Sequence, residues 1–108
     1  MSEIDIKLYL IYDILQFIYD RTVNQGAFQC VTSDDILTKF NTYNLNYKKI
    51  SAIMSLLTDG CGVGIVYKKI NNKMFIVGWN VGWNYKYMEV WQNIIKQRVY
   101  DKKYHLNF

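Results

Sequence analysis

An α+β fold is what this sequence of 108 residues predicts, and three observations carry the prediction. Near the N-terminus, Ile4, Leu8, Ile11, Leu15 and Ile18 repeat at 4-3-4-3 spacing, the signature of one helical face. Near the other end, Met88, Trp91, Ile94, Ile95 and Val99 form a second helical stripe. Between them, Ile65–Ile70 and Met74–Trp79 are rich in β-branched and aromatic residues and flank Asn71-Asn72-Lys73, which reads as a hairpin.

Taken in order, the first helix is predicted from Ile4 to Val23. Leu10, Ile14 and Phe17 make a second stripe beside the first, and Tyr9, Tyr12 and Tyr19 widen the apolar arc. Asn24-Gln25-Gly26 ends it. Phe28–Val31 alternates as a short strand. Thr32 or Ser33 then caps a short helix, with Asp34 and Asp35 at the positive end of its dipole and Ile36, Leu37 and Phe40 inward. Asn41–Asn44 turns the chain, and Leu45 plugs the turn into the core.

The segment Asn46–Asp59 organises the rest. Ile50, Ile53, Met54 and Leu57 share a face; Lys48, Ala52 and Ser55 lie opposite, flanked by Lys49 and Ser51. Asn46 suits an N-cap, and Gly60 stands where a helix stop takes positive φ. Such a small, polar, basic outer face suits a DNA major groove, where short side chains allow close approach and lysines meet phosphates. After the hairpin, Gly78–Asn84 repeats a Gly-Trp-Asn tripeptide, read as the strand's end and the link onward, with its indoles as anchors. The last helix runs from Tyr85 to about Tyr100, followed by a basic, aromatic tail.

Composition narrows the function. With 51% apolar residues, no proline and a net charge of +4, one folded domain over residues 1–108 is expected. Residues 1–45 hold three basic and six acidic side chains; residues 46–108 hold ten basic and three acidic. A polyanion would meet the second half. No basic segment precedes the first apolar stretch, and charged residues interrupt it. Neither a signal peptide nor a membrane span is therefore expected, and the chain is placed in the cytoplasm.

Candidate chemistry is sparse. Gly60–Gly64 follows a helix and opens a strand, the wrong context for a phosphate-cradling loop. Asp34 and Asp35 are adjacent, so they point apart on a helix and serve as capping groups rather than an acid–base pair. Cys30, Cys61 and His105 make no metal-ligand set. No catalytic residues, cofactor, metal or small-molecule substrate are expected.

From Leu8 to about Asn80, the order helix, short strand, short helix, turn, helix and basic-tipped hairpin resembles the winged helix-turn-helix fold. Ser33–Asn80 carries the most specific part of the match. The added C-terminal helix over 85–100 is similar to the dimerising helix of PadR-like and MarR-like regulators. The shortness, the Tyr, Ile and Asn content and the lack of proline are similar to small winged-helix proteins of crenarchaeal viruses, which implies the host cytoplasm if the source is viral. The resemblance implies binding of double-stranded DNA, with Tyr47, Lys48, Lys49, Ser51, Ala52 and Ser55 facing the major groove. Lys68, Lys69, Asn71, Asn72 and Lys73 would form a short wing on the backbone. No arginine lies on the outer helix face, so base readout would be modest.

In that fold Cys30 and Cys61 could approach closely enough for a disulfide, with two free thiols as the alternative. The resemblance also implies a homodimeric transcriptional regulator. Its interface is expected on the first and last helices, at Leu10, Ile14, Phe17, Met88, Trp91 and Ile95, unless these helices cover each other within one chain. Alternative functions are a winged-helix protein–protein adaptor and a viral nucleic-acid-packaging protein.

Overall fold

A helix of 23 residues, α1 (Glu3–Gln25), supplies the largest share of the buried side chains. The computed structural model describes residues 2–25, 30–81 and 87–101. Leu8, Leu10, Ile11, Ile14, Leu15 and Ile18 of α1 are all buried, so both sequence stripes face protein. Ile4, the first member of the expected stripe, is instead exposed. Three pieces follow α1: α2 (Ser33–Lys39), a 3-10 turn (Asn41–Tyr43) and α3 (Tyr47–Thr58). A hairpin of β1 (Val63–Ile70) and β2 (Lys73–Val81) comes next, and then α4 (Met88–Tyr100). Phe28 and Gln29 of the expected first strand, Gly82–Lys86 of the link and the tail from Lys102 lie outside the described residues.

The local signals for α2 and α3 act as the sequence implies. Thr32 caps α2 by accepting from the Asp35 N–H at 3.1 Å, and the Asp35 carboxylate accepts from the Thr32 N–H at 2.9 Å. This reciprocal capping box satisfies two donors that helix geometry leaves without partners. Arg21 of α1 reaches the same carboxylate at 2.9 Å, tying the two helices together. Asn46 caps α3 through the Lys49 N–H at 2.8 Å. Past the end of α3, Gly60 takes φ +82°, a conformation that glycine adopts without penalty. Leu56 joins Ile50, Ile53, Met54 and Leu57 in the core.

The hairpin is longer than its sequence signal. Val63 pairs with Val81 at the base and Ile70 with Lys73 at the tip, across a two-residue turn in which Asn71 and Asn72 have φ 51° and 62°. Positive φ at both central residues matches the right-handed twist of the strands, and asparagine tolerates it. Val31 exchanges two backbone hydrogen bonds with Trp79, of 2.7 and 2.8 Å, on the outer edge of β2. A Cβ on Gly78 would lie 2.5 Å from the Val31 carbonyl oxygen, so glycine permits this approach. The register shifts just beyond, leaving Val77 as an unpaired bulge residue. The spatial order Val31, β2, β1, together with helices α1 to α4, is an α+β layout compatible with a winged helix.

The last helix covers the first within the same chain. Trp91 and Ile95 of α4 are buried, and the Tyr12 hydroxyl of α1 donates to the Gln92 carbonyl at 3.0 Å. Trp91 occupies the space beside Gly62, where a Cβ would sit 2.0 Å from the indole. Of the six residues expected at a dimer interface, Leu10, Ile14, Trp91 and Ile95 are thus consumed by the monomer's own core. Phe17 and Met88 are half-buried against that core, and the Phe17 ring meets Phe40 edge-on at 6.0 Å. The reason is geometric: α4 and the hairpin base cover the first stripe of α1, and α2, the turn after it and the start of α3 cover the second. Thr22 completes the seal, donating to the Ile18 carbonyl at 3.0 Å and accepting from the Val81 N–H at 3.1 Å.

The capping box gives α2 a pH signature. Hydrogen bonding from the Thr32 backbone, followed in effect by the Thr32 hydroxyl and Arg21, holds the Asp35 carboxyl below its ordinary range against the cost of burial. A depressed carboxylate stabilises the fold above its unfolded pKa of about 3.9, and that stabilisation fades as pH falls through the lower folded value. Replacing Asp35 with alanine should cost about 1 kcal/mol at neutral pH. Urea unfolding across pH 2–7 should show the variant and the parent converging at the acid end.

Candidate nucleic-acid interface

The outward face of α3 is built by the same 3.6-residue period that buries its inner face. Lys48, Ser51 and Ser55 are exposed, Ala52 is half-buried between them, and Tyr47 is 61% exposed at the N-terminal end. Two of the expected contacts are engaged locally. The Tyr47 hydroxyl donates to the Asp34 carboxylate of α2, and this bond raises its pKa. Its ring remains available while its hydroxyl braces α3 against α2. Lys49 is half-buried, and its ammonium donates to the Asn44 carbonyl at 3.1 Å. Asn44 stands in the left-handed region with φ 57°, so Lys49 staples a strained turn between the two helices. Lys48 is the lysine of this helix that points outward without that duty.

The hairpin places Lys68 and Lys69 near the end of β1, Asn71 and Asn72 in the turn, and Lys73 at the start of β2. Every residue from 67 to 77 is exposed, so the wing is a projecting arm rather than the short tip expected from the sequence. It is also apolar: Tyr67, Ile70, Met74, Phe75, Ile76 and Val77 are exposed along with the lysines. Residues paired across a hairpin share a face. The pairing therefore puts Tyr67, Lys69, Met74 and Ile76 on one side, and Lys68, Ile70, Lys73 and Phe75 on the other.

One supporting residue is invisible to sequence reasoning. Arg98 of α4 donates to the Leu56 carbonyl at 2.8 Å, reaches Cys61 Sγ at 3.4 Å and lies 3.7 Å from Asp59. A helix C-terminus leaves carbonyls without partners, and a cation there meets the negative end of the dipole. Arg98 thus fixes the end of α3 from a helix some forty residues away in sequence. Its partners lie on another element, so no spacing rule announces it.

Cys61 is buried beside this guanidinium, and burial pushes its thiol up despite the opposing pull of Arg98. Cys30 lies on the far edge of β2, near Gly78. Both are free thiols, and the expected disulfide is not formed: Cys30 belongs to the strand edge and Cys61 to the α3–α4 junction. Among the described residues, no cluster of three or more His, Cys, Asp or Glu side chains is arranged to hold a metal ion. None of their helices is long and apolar enough to cross a membrane. No family model matches this sequence, and comparisons with curated proteins and with solved structures return no match.

Arg98→Met should destabilise the protein by about 1.5–3 kcal/mol, the usual cost of losing a charged hydrogen bond to a buried acceptor. Denaturant titration reads this directly. Thiol titration of unfolded, unreduced protein should return two free thiols. In the native state Cys61 should react more slowly than Cys30.

Proposed function

We propose that this chain is a winged helix-turn-helix protein that binds double-stranded DNA as a homodimer and regulates transcription. In this reading α3 enters the major groove, and the Lys68–Lys73 tip rests on the backbone. One observation carries it: the chain's basic second half presents an exposed α3 face of Tyr47, Lys48, Ser51 and Ser55 followed by an exposed hairpin bearing three lysines. The Val31–β2–β1 order supports it further, since it matches the strand order of that fold. The serines and Ala52 permit close approach to base edges, and Lys48, Lys68 and Lys73 supply phosphate contacts. Two such units on a two-fold axis would present their helices about one DNA turn (~34 Å) apart. A second reading, a protein–protein adaptor, is favoured by the six exposed apolar side chains of the hairpin.

Mobility shifts with a selected site and its scrambled counterpart, across a salt series, separate these readings. Each phosphate contact contributes about 0.9 to the slope of log affinity against log salt. Lys48→Ala should weaken binding and flatten the slope by about that amount, while Lys68→Ala with Lys73→Ala should remove about twice as much. Lys49→Ala should act chiefly on stability, through the Asn44 turn. Unchanged affinity and slope in the Lys48 and wing variants would exclude the DNA reading and favour the adaptor. Equal binding to scrambled DNA would favour packaging.

A further inference from the structure

The hairpin face that carries Tyr67, Lys69, Met74 and Ile76 has an electrostatic and apolar counterpart on the same molecule. Met74 is 61% exposed, Ile76 56% and Tyr67 51%, and a lysine stands among them as the face's basic charge. Apolar side chains concentrated on a projecting arm mark an interaction surface. On α1, the solvent-facing residues Ile6, Tyr9, Asp13, Gln16 and Asp20 follow a 3-4-3-4 spacing, one line along the helix. Ile6 and Tyr9 are also about half exposed. The charges on that line are the two carboxylates.

Asp13 and Asp20 also border an open cleft of about 320 Å³ whose other walls are Gln16, Phe17, Lys39 and Phe40. Gln16 Nε2 donates to Asp20 Oδ1 at 2.8 Å, and the Lys39 ammonium sits 6.0 Å from the centre of the Phe17 ring. The Arg21 guanidinium also lies over the Phe17 ring, at 5.2 Å, but is paired with Asp35. Two carboxylates against the Lys39 ammonium therefore leave the cleft acidic, and its two phenyl rings give it an apolar floor. It suits a lysine flanked by apolar side chains.

We propose that a second copy of this chain occupies this surface. The Tyr67–Lys69–Met74–Ile76 face of one protomer lies along the Ile6–Asp20 line of its partner, with Lys69 at the acidic cleft, and the two-fold axis repeats the contact. Charge decides among occupants. Two hairpins packed on each other would oppose three lysines with three, and DNA would be repelled by the α1 line. Dimensions agree as well: Ile6 to Asp20 spans roughly 21 Å of helix, and the arm from Tyr67 to its tip roughly 15 Å. The opposite arm face, with Lys68 and Lys73, stays free for a polyanion. This dimer surface therefore stands independently of DNA binding, and it replaces the buried residues of α1 and α4 with exposed ones.

The test is sedimentation velocity on the full-length protein without nucleic acid at micromolar concentration. The wild-type mass should be twice 12.9 kDa. Lys69→Glu alone, and Asp13→Lys with Asp20→Lys, should each weaken association at least tenfold without changing the thermal melt. An equimolar mixture of these two variants should regain the dimer, because each arm then meets a face of opposite charge. A wild-type monomer, a dimer indifferent to all three substitutions, or a mixture that fails to reassociate would overturn the proposal. So would an arm that binds lipid vesicles while the protein stays monomeric. Loss of DNA binding in a chain that still dimerises would count against the proposed function and leave this surface standing.

Discussion

The burial of α1 on two sides is the constraint on which the other elements depend. Ile11, Ile14, Leu15 and Ile18 have no accessible surface, and together they demand more cover than one neighbour can give. Fully burying a side chain of this size is worth about 1.5–3 kcal/mol, so leaving either stripe in water would be costly. The base of the hairpin and α4 supply one cover; α2, the turn after it and the start of α3 supply the other. Polar groups then fix the docking angles: Thr22 to the end of β2, Tyr12 to α4 and Arg21 to α2. Each is a long-range bond made at the edge of an apolar contact, where a mispaired polar atom would be penalised.

From this packing the exposed surfaces follow. Once α4 is committed to α1, its Arg98 stands at the C-terminal end of α3 and holds that helix in place. With the inner face of α3 spent on Ile50, Ile53, Met54 and Leu57, Tyr47, Lys48 and the small polar residues are left outward. The hairpin is held only at its base, where Val63, Trp79 and Val81 are buried. Beyond the bulge at Val77 none of the described residues forms a layer beneath it. The apolar side chains exposed on an arm anchored in this way are the basis of the proposed intermolecular contact.

The two halves of the chain differ in charge, and their arrangement in space gives that difference a use. Asp13 and Asp20 lie on the exposed line of α1 from Ile6 to Asp20, while the lysines of the hairpin lie on the arm. In the proposed reading this polarity would draw a polyanion to one face of the arm and the acidic line of a second copy to the other. The same cation cannot do both at once. A hairpin with two faces, each with its own lysine, separates the tasks.

Much of the local structure was legible in the residues. Asn46, Gly60, Thr32 with Asp35, and Asn71-Asn72 each act through bonds or dihedrals within a few positions of themselves, so their meaning survives without tertiary information. The α1 and α3 stripes were legible for the same reason, since a helical period depends on backbone geometry alone. What covered those stripes was not. Leu10, Ile14, Trp91 and Ile95 read equally well as a dimer interface or as a core, because an apolar face specifies burial but not the partner; only the docking of α4 and of the α2–α3 segment on α1 decided it. Lys49 reads as a groove contact until the αL turn at Asn44 draws its ammonium inward. Cys30 and Cys61 read as a pair until the strand edge and the α3–α4 junction hold them apart. The polar roles of Arg98, Thr22 and Tyr12 carried no sequence signal, because their partners lie 42, 59 and 80 residues away and a hydrogen bond over that distance exists only once the chain has folded.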